Sequence, residues 1–135
     1  MPHAVLVDSN VLLDVLEEDS VWCDWSAGQL ATLADRSLLW INPVIYAEVS
    51  IAFARIEEVE VALPADMFLR RQIPWEAAFL AGKAFLSYRR RGGERRSPLP
   101  DFFIGAHAAL ENVPLLTRDA SRYRSYFPKL ELICP

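Results

Sequence analysis

Short apolar runs alternate with helical patterns along the chain, and this alternation restricts the fold more than any other feature. Residues 4–7 and 38–41 read as strands, and two further strands are predicted at residues 113–117 and 130–134. Strands that are joined by helices usually lie parallel, with helices covering both faces of the sheet. The sequence therefore predicts an α/β fold around a mostly parallel sheet of four to five strands.

Helical patterns fill most of the remaining chain. We expect helices at about residues 11–19, 20–36, 43–57, 99–112 and 119–126, and two short helical pieces, one at Pro64 and one at Met67 to Arg71. Asn42 and Pro43 suit the N-cap and the first helical position. Another helix starts at Pro74, and helical spacing predicts that one apolar stripe packs against the core: Trp75, Ala78, Phe79, Gly82, Phe85 and Leu86.

Length and composition place limits on the class of protein. A chain of 135 residues suits one domain, predicted here as residues 1–135. Its apolar fraction of 53% leaves room for an apolar subunit interface. No apolar run approaches the ~18 residues of a membrane helix, so we expect no membrane span and a cytoplasmic location. Cys23 and Cys134 lack the spacing of a zinc site, and we expect reduced, buried thiols.

Charge is distributed unevenly. Residues 1–66 carry a net charge of −10, whereas residues 67–135 carry +6. The basic half contains the segment RRRGGERR, in which five arginines surround a predicted turn at Gly92 and Gly93. Such a segment could hold a polyanion such as RNA, or it could be a solvated loop. The arginines are Arg89, Arg90, Arg91, Arg95 and Arg96.

Four acidic residues each stand beside an apolar run: Asp8, Glu48, Asp101 and Asp119. Desolvating a carboxylate without a partner costs several kcal/mol, so four such residues suggest one shared cation. Ligands of parallel sheets gather at the carboxyl ends of the strands. Asp8, Glu48 and Asp119 all follow predicted strands, and Asp101 begins a helix whose dipole favours a negative charge.

Glu48 is the hardest of these acids to explain by structure alone. Between Pro43 and Ala54, only Glu48 and Tyr46 are ionisable. A buried ion pair with Arg55 or another arginine is one explanation, and participation in a metal site is the other. Oxygen ligands without a nearby histidine or thiolate suit Mg²⁺ or Mn²⁺ better than zinc. Such ions bind phosphate oxygens and activate water, which points to phosphodiester hydrolysis.

Four segments together resemble the PIN-domain ribonucleases, in particular the VapC-type toxins of bacterial toxin–antitoxin pairs. They are VLVDSNVLLDVL, NPVIYAEV, PLPDFFIGAHAAL and PLLTRDASRYRSYFP, and they occur in the order typical of the family. The resemblance implies a three-layer α/β/α sandwich and a metal-dependent endoribonuclease that inhibits translation. It assigns Asp8, Glu48, Asp101 and Asp119 to a metal site, with Asp8 and Asp101 as the most direct ligands.

The resemblance also implies supporting residues and partners. Ser9, Asn10 and Thr117 would hydrogen-bond carboxylates or bound water, although Ser9 and Asn10 could equally be helix caps. Toxins of this kind form homodimers and are silenced by a cognate antitoxin. The region of Trp22 and Trp25 could accept an amphipathic helix of the antitoxin, or both rings could simply fill the core.

Several charged residues near these motifs have simpler explanations. We expect Asp14 to be exposed or hydrogen-bonded locally to Asn10. His107 is predicted to be a surface or a satisfied core histidine. Arg118 and Arg122 flank Asp119 and could touch phosphate, although surface exposure is the default.

Two other functions compete with the nuclease. One is a PIN fold of narrow or no catalytic activity that binds RNA or a partner protein. The other is an aspartyl-phosphate phosphotransfer domain, which would also place an aspartate after its first strand. The second Asp that one such pattern requires is replaced here by Asn10. The target RNA, the number of metal ions and the dimer surface are not encoded in any motif.

Overall fold

The computed structural model describes residues 3–93 and 98–135. Within these residues, five strands form one sheet in the order β3-β2-β1-β4-β5, and all four neighbouring pairs are parallel. The strands are β1 (Ala4–Val7), β2 (Leu38–Ile41), β3 (Phe68–Arg70), β4 (Leu115–Leu116) and β5 (Leu132–Ile133). The predicted α/β fold with a parallel sheet is therefore confirmed.

Seven helices are present in the described residues. They are α1 (Ser9–Leu16), α2 (Cys23–Ala34), α3 (Pro43–Ser50), α4 (Ile56–Ala62), α5 (Trp75–Arg90), α6 (Leu99–Glu111) and α7 (Ser121–Tyr126). The strand order runs outward from β1 to β3 and then returns across the sheet to β4. Right-handed crossovers consequently place α1 to α4 on one face and α5 to α7 on the other, which gives the three-layer sandwich.

The central strand β1 determines where the core lies. All four of its residues are buried, because β2 and β4 flank its two edges and helices cover both faces of the sheet. A strand that is covered on both faces reads as a continuous apolar run, as AVLV does here. The main hydrophobic cluster surrounds this strand, and a smaller aromatic cluster lies between α5, α6 and α7.

The predicted helix at residues 43–57 is in fact two helices. Near the end of α3, the Ser50 hydroxyl bonds back to the Tyr46 carbonyl at 2.6 Å, a contact that competes with helix propagation. Arg55 then adopts an extended conformation, and its backbone N–H donates to the Glu58 carboxylate at 2.9 Å. This carboxylate contact at the first turn starts a new helix at Ile56.

The helical piece predicted at Met67 to Arg71 is wrong, because Phe68–Arg70 is the edge strand β3. Phe68 pairs with Leu39 and Leu69 pairs with Trp40. Three residues are too few for the sequence to show a period, so the strand is determined by pairing with β2 rather than by a local pattern.

The apolar stripe predicted for α5 is largely wrong as well. Trp75 is 88% exposed and Phe79 is 64% exposed, and Leu86 also lies at the surface. The helix packs instead through Ala77 and Ala81, which are fully buried. Small side chains at these positions allow α5 to approach α6 closely, with larger rings completing the aromatic cluster: Phe85, Tyr88 and Phe102.

Other expectations from the sequence have mixed outcomes. Cys23 and Cys134 are free thiols, but both are half-buried rather than buried. Trp22 and Trp25 are also half-buried and meet edge to face at 6.2 Å between ring centroids. Within the described ranges, no helix combines the length and apolarity needed to cross a bilayer.

A tight contact at Gly105 on α6 gives a test of this packing. A Cβ built at Gly105 would lie 2.5 Å from Cε2 of Phe127, so Gly105→Ala should force the ring aside and destabilise the protein by about 1–3 kcal/mol. Gly82→Ala on α5 is the matched control, since a Cβ there meets nothing within 4 Å. It should be neutral or stabilising by up to about 1 kcal/mol. Urea unfolding measures both, and equal stability of Gly105→Ala and the wild type would contradict the packing.

Candidate active site

Asp8 directly follows β1 at the carboxyl edge of the sheet, and it is only 3% exposed. Its Oδ2 accepts hydrogen bonds from the Thr117 hydroxyl at 2.9 Å and from the Tyr123 phenol at 2.8 Å. Thr117 follows β4, which pairs directly with β1, and Tyr123 belongs to α7. The described hydrogen-bond partners of this buried carboxylate are therefore all neutral, and its other oxygen, Oδ1, has only the Ser9 hydroxyl at 3.4 Å.

Glu48 lies on α3 and reaches the same edge. Its carboxylate accepts a hydrogen bond of 2.8 Å from the Ser9 hydroxyl. A hydroxyl has one proton, so Ser9 donates it to Glu48, which is nearer than Asp8. This hydrogen bond joins Glu48 to the start of α1. The predicted alternative, an ion pair between Glu48 and Arg55, is wrong, because Arg55 pairs with Glu57 at 3.3 Å.

Asp101 and Asp119 approach from the other side. Asp101 is the third residue of α6, where the positive end of the helix dipole favours its charge. Its Oδ2 pairs with the guanidinium of Arg122 at 2.5 Å. Asp119 lies in the loop between β4 and α7, and its side chain is exposed and accepts a bond from the Ser121 hydroxyl at 3.2 Å.

The pKa values show that these carboxylates share one electrostatic environment. Burial raises the pKa of Asp8 from 3.8 to about 6, and the negative charges of Asp101 and Glu48 add to that rise. Burial also raises the pKa of Glu48, again with a contribution from Asp101. Burial raises the pKa of Asp101 despite its bond to Arg122, and Asp119 contributes in the same direction. The four acids predicted from the sequence therefore lie near one another.

Polar residues around Asp8 form a connected network. Asn10 donates from Nδ2 to the Thr117 hydroxyl at 3.2 Å and accepts from the Arg118 backbone N–H at 3.3 Å. The Asp119 N–H also donates to the Thr117 hydroxyl. Neither Ser9 nor Asn10 is a helix cap, since the N-cap of α1 is Asp8. Asn10 and Thr117 instead tie the carboxyl ends of β1 and β4 together, and Ser9 bonds to Glu48 on α3.

The prediction that Asp14 is exposed or hydrogen-bonded locally to Asn10 is wrong. It is 2% exposed and pairs with Arg118, whose Nε lies 2.9 Å from Oδ2. The Ser26 hydroxyl donates to the same oxygen at 2.8 Å. Arg118 also lies 5.9 Å from the centroid of Trp22. Arg118 is thus held in a structural ion pair between α1 and the loop after β4.

His107 lies on the buried face of α6 and is 0% exposed. The Asn42 side-chain amide donates to its Nδ1 at 2.9 Å, because the Asn42 oxygen caps α3 by accepting from Ile45. Among the described residues, His107 Nε2 has no hydrogen-bond partner. The prediction of a core histidine is correct, but its hydrogen bonding is satisfied at Nδ1 only.

The arginine segment begins at the end of α5. Arg89, Arg90 and Arg91 are exposed, and the guanidinium of Arg91 lies 5.0 Å from the centroid of Tyr126. Gly92 has φ +81°, which confirms the predicted turn. Arg95 and Arg96, which the sequence also assigned to RNA binding, lie outside the described residues. Arg89, Arg90 and Arg91 therefore form an exposed basic surface at the end of α5.

Two residues that contact the acids were not found by sequence reasoning. Tyr123 was not singled out, and Arg122 was expected at the surface, yet they bond to Asp8 and Asp101. Tyr123 is 2% exposed, and burial raises the pKa of its phenol well above 10, with the negative charge of Asp8 contributing. The phenol therefore remains a hydrogen-bond donor. Their only sequence signal is their position within four residues of Asp119.

The chemistry of these side chains fits a hard divalent cation. All four acids offer oxygen ligands, and Asp8 carries a buried charge that neutral donors do not cancel. In the described parts of the chain, however, no three histidine, cysteine or acidic side chains are arranged to hold one ion as they stand. Asp101 is directed to Arg122 instead. The four carboxylates that could bind a cation are present, but they are not drawn together around one point.

The raised pKa of Asp8 predicts how stability depends on pH without metal. The folded protein keeps the Asp8 proton at a higher pH than the unfolded chain, so stability should fall as pH rises from about 4 to about 6. A rise of about two units corresponds to roughly 3 kcal/mol at neutral pH. Asp8→Asn should therefore stabilise the metal-free protein at pH 7 by up to about 3 kcal/mol and have little effect at pH 4.

Urea unfolding in EDTA across this pH range measures the effect of Asp8→Asn. Asp66→Asn serves as the control, because Asp66 is exposed, and it should change stability little at either pH. Excess Mg²⁺ should reduce the difference in free energy of unfolding between Asp8→Asn and the wild type at pH 7, because the ion should stabilise the wild type more. A less stable Asp8→Asn protein at pH 7 in EDTA would show that the Asp8 charge is already compensated.

Comparisons with known proteins agree with the fold and the order of the motifs. A family model described as "PIN domain" matches residues 5–127. Comparison with curated protein sequences gave no significant match. Solved structures with similar folds include VapBC2 from Rickettsia felis bound to a DNA fragment from its promoter, at 18% identity, TM-score 0.75 and 98% coverage of both chains.

Two further structures show the same architecture. VapBC-1 from nontypeable Haemophilus influenzae matches at 16% identity and TM-score 0.72, with 97% of each chain covered. A toxin-antitoxin complex from Klebsiella pneumoniae matches at 18% identity and TM-score 0.70, with 96% of this chain and 95% of that chain covered. At these identities the structures establish the fold alone. The family model spans nearly the whole chain, and the protein belongs to the PIN-domain family.

Proposed function

We propose that this protein is a Mg²⁺- or Mn²⁺-dependent endoribonuclease that acts as the toxin of a toxin–antitoxin pair in the cytoplasm. The observation that carries the proposal is the buried, uncompensated carboxylate of Asp8 among three other acids at the carboxyl edge of the sheet. A protein that only needed a stable core would have no use for this charge. An oxygen-preferring cation is the partner that its surroundings suit.

Each acid has a role that follows from its contacts. Asp8 and Asp101 would hold the cation, Asp8 through Oδ1, since Oδ2 already accepts two hydrogen bonds. Glu48 and Asp119 would complete the negative site. Ser9 orients Glu48, and Thr117 orients Asp8. A bound Mg²⁺ or Mn²⁺ would supply positive charge to the phosphate and acidify the attacking water.

RNA as the substrate is supported by the charge distribution. The exposed Arg89 and Arg90 end the helix that precedes α6, the helix that carries Asp101. Phosphodiester backbones bind such surfaces through charge, with a strong dependence on salt. The acids would thus cut a chain whose phosphates are held by the basic half of the protein.

The toxin role and the protein partners rest on the family resemblance and on the similar structures, one of which is a toxin–antitoxin complex from Klebsiella pneumoniae. We infer a cognate antitoxin and a homodimer. The half-buried pair of Trp22 and Trp25 remains a candidate site for the antitoxin. The exposed Trp75 and Phe79 on α5 provide apolar surface that a partner subunit could cover.

An aspartyl-phosphate function is less compatible with the geometry. Asp8 would be the residue to be phosphorylated, yet it is 3% exposed and one of its oxygens already accepts two hydrogen bonds. A phosphoryl group would have to displace Thr117 or Tyr123 or enter beside Ser9. No observation favours this second function.

Loss of either main ligand should abolish cleavage. Substituting a residue that merely supports a metal ligand commonly lowers activity 10- to 100-fold, so Asp8→Asn or Asp101→Asn should lower the cleavage rate by at least about 100-fold. Ser9→Ala should have an intermediate effect, because Glu48 would lose its described hydrogen bond. The readouts are cleavage of RNA in Mg²⁺ and sequencing of new 5′ ends in cells that express each variant.

The control for these variants is Asp66→Asn, which should cleave at the wild-type rate, and EDTA should stop cleavage by the wild type. Circular dichroism should show that each variant is folded. Wild-type cleavage by Asp8→Asn or Asp101→Asn would refute the proposed function. Folded wild-type protein that generates no new 5′ ends in Mg²⁺-replete cells would instead favour a PIN fold that only binds.

The basic surface can be tested through the salt dependence of RNA binding. Arg89→Gln combined with Arg90→Gln should weaken binding of a single-stranded RNA in EDTA. It should also reduce the magnitude of the log–log salt slope by up to about 1.4, or about 0.7 for each lost phosphate contact. Arg36→Gln is the control, because Arg36 is exposed and lies in the acidic half. An unchanged slope in the double variant would remove these arginines from the RNA site.

A further inference from the structure

Arg122 is the one arginine in the described residues that contacts any of the four acids. Its Nη1 lies 2.5 Å from Oδ2 of Asp101. The neighbouring arginines have other partners: Arg118 pairs with Asp14, and Arg124 approaches the Cys134 sulfur at 3.2 Å. Arg122 therefore supplies positive charge at the position where the proposed site would receive a cation.

The ion pair between Arg122 and Asp101 is open enough to be exchanged. The side chains are 39% and 32% exposed, respectively. This differs from the ion pair of Arg118, whose partner Asp14 is 2% exposed. A half-exposed ion pair contributes little stability and separates readily when a stronger partner arrives.

The surroundings of Arg122 also indicate where its guanidinium would go. It lies 5.8 Å from the centroid of Tyr88, the residue that precedes Arg89 near the end of α5. Arg122 thus stands between the acids on one side and the basic end of α5 on the other. A rotation of its side chain away from Asp101 would move the charge toward the basic end of α5.

We propose that Arg122 is an exchangeable counter-ion, which neutralises Asp101 in the metal-free protein and is displaced by a divalent cation to contact the RNA phosphate backbone. This proposal rests on the proposed function and deepens it by adding a positioning residue. It also gives a physical reason why Asp101 is directed to Arg122. Asp101 has a cationic partner already, and only a second cation releases it.

The first experiment measures metal affinity in the absence of RNA. Isothermal titration of the metal-free chain with Mn²⁺ should show about fivefold tighter binding by Arg122→Gln than by the wild type, the order expected for the loss of a half-exposed competing ion pair. Arg122→Lys keeps the charge and should return the affinity toward the wild-type value. Circular dichroism should confirm that both variants are folded.

Arg124→Gln is the matched control, because it removes the same charge two residues away on the same helix. It should leave Mn²⁺ affinity unchanged. Equal Mn²⁺ affinities of Arg122→Gln and the wild type would overturn the exchange, and so would equal tightening by Arg124→Gln. Failure of the wild type to bind Mn²⁺ at all would refute the proposed metal site itself.

The second experiment follows the contact with phosphate. Fluorescence anisotropy of a labelled single-stranded RNA is measured in Ca²⁺, with intact RNA verified on a gel, and again in EDTA. In Ca²⁺, Arg122→Gln should lower the magnitude of the log–log salt slope by about 0.7, the value for one phosphate contact on a single strand. In EDTA the slope should match the wild type, because Arg122 is then paired with Asp101.

Arg124→Gln should behave as the wild type in both buffers. The same change of slope for Arg122→Gln in Ca²⁺ and in EDTA would show that Arg122 contacts RNA without a metal-dependent exchange. No change in either buffer would show that it does not reach the phosphate. Both results would overturn the proposal while leaving the cleavage assays of Asp8→Asn and Asp101→Asn unaffected.

Discussion

The burial of the Asp8 carboxylate at the end of the central strand is the constraint on which the rest of the site depends. β1 lies between β2 and β4, and helices cover both faces of the sheet, so the residue that follows β1 has little access to water. A charge at this position is costly, and burial accordingly raises the pKa of Asp8 to about 6. Every polar contact around Asp8 reduces this cost without removing it.

Neighbouring strands and α7 supply those contacts. Thr117 reaches Asp8 because β4 pairs in parallel with β1 and ends at the same edge of the sheet. Tyr123 reaches it because α7 starts four residues after Thr117 and packs on α6, where Gly105 leaves space for the rings of α7 and the residue that follows it. The topology thus determines which donors surround the carboxylate, and these donors orient it.

Much of this arrangement could be predicted from the sequence, because the relevant signals are local. An acid after an apolar run, as at Asp8, marks the carboxyl end of a parallel strand, and a carboxylate in an apolar helix, as at Glu48, needs a functional explanation. The family motifs place Asp101 and Asp119 in the same site. The pKa shifts are consistent with this, since Asp101 and Glu48 raise the pKa of Asp8, and Asp119 raises the pKa of Asp101.

Most of the features that the sequence did not predict depend on contacts between distant segments. The pair of Asp14 and Arg118 joins residues 104 positions apart, and no spacing rule connects them. The exposure of Trp75 was missed because helical spacing identifies an apolar stripe but not which of two stripes faces the core. On α5 the alanines face α6, since only small side chains allow the two helices to approach so closely.

The two consecutive residues of α7 that contact the acids differ in a way that suits their different partners. Tyr123 is buried, and its phenol cannot lose a proton at neutral pH, so it holds Asp8 permanently with a neutral donor. Arg122 is half-exposed and charged, so it can compensate Asp101 when no cation is present and yield when one binds. A neutral donor leaves the Asp8 charge available to a metal, whereas a fixed arginine would cancel it. A site that must fold without metal and still attract it therefore needs a fixed neutral donor at its buried acid and an exchangeable cation at its open one.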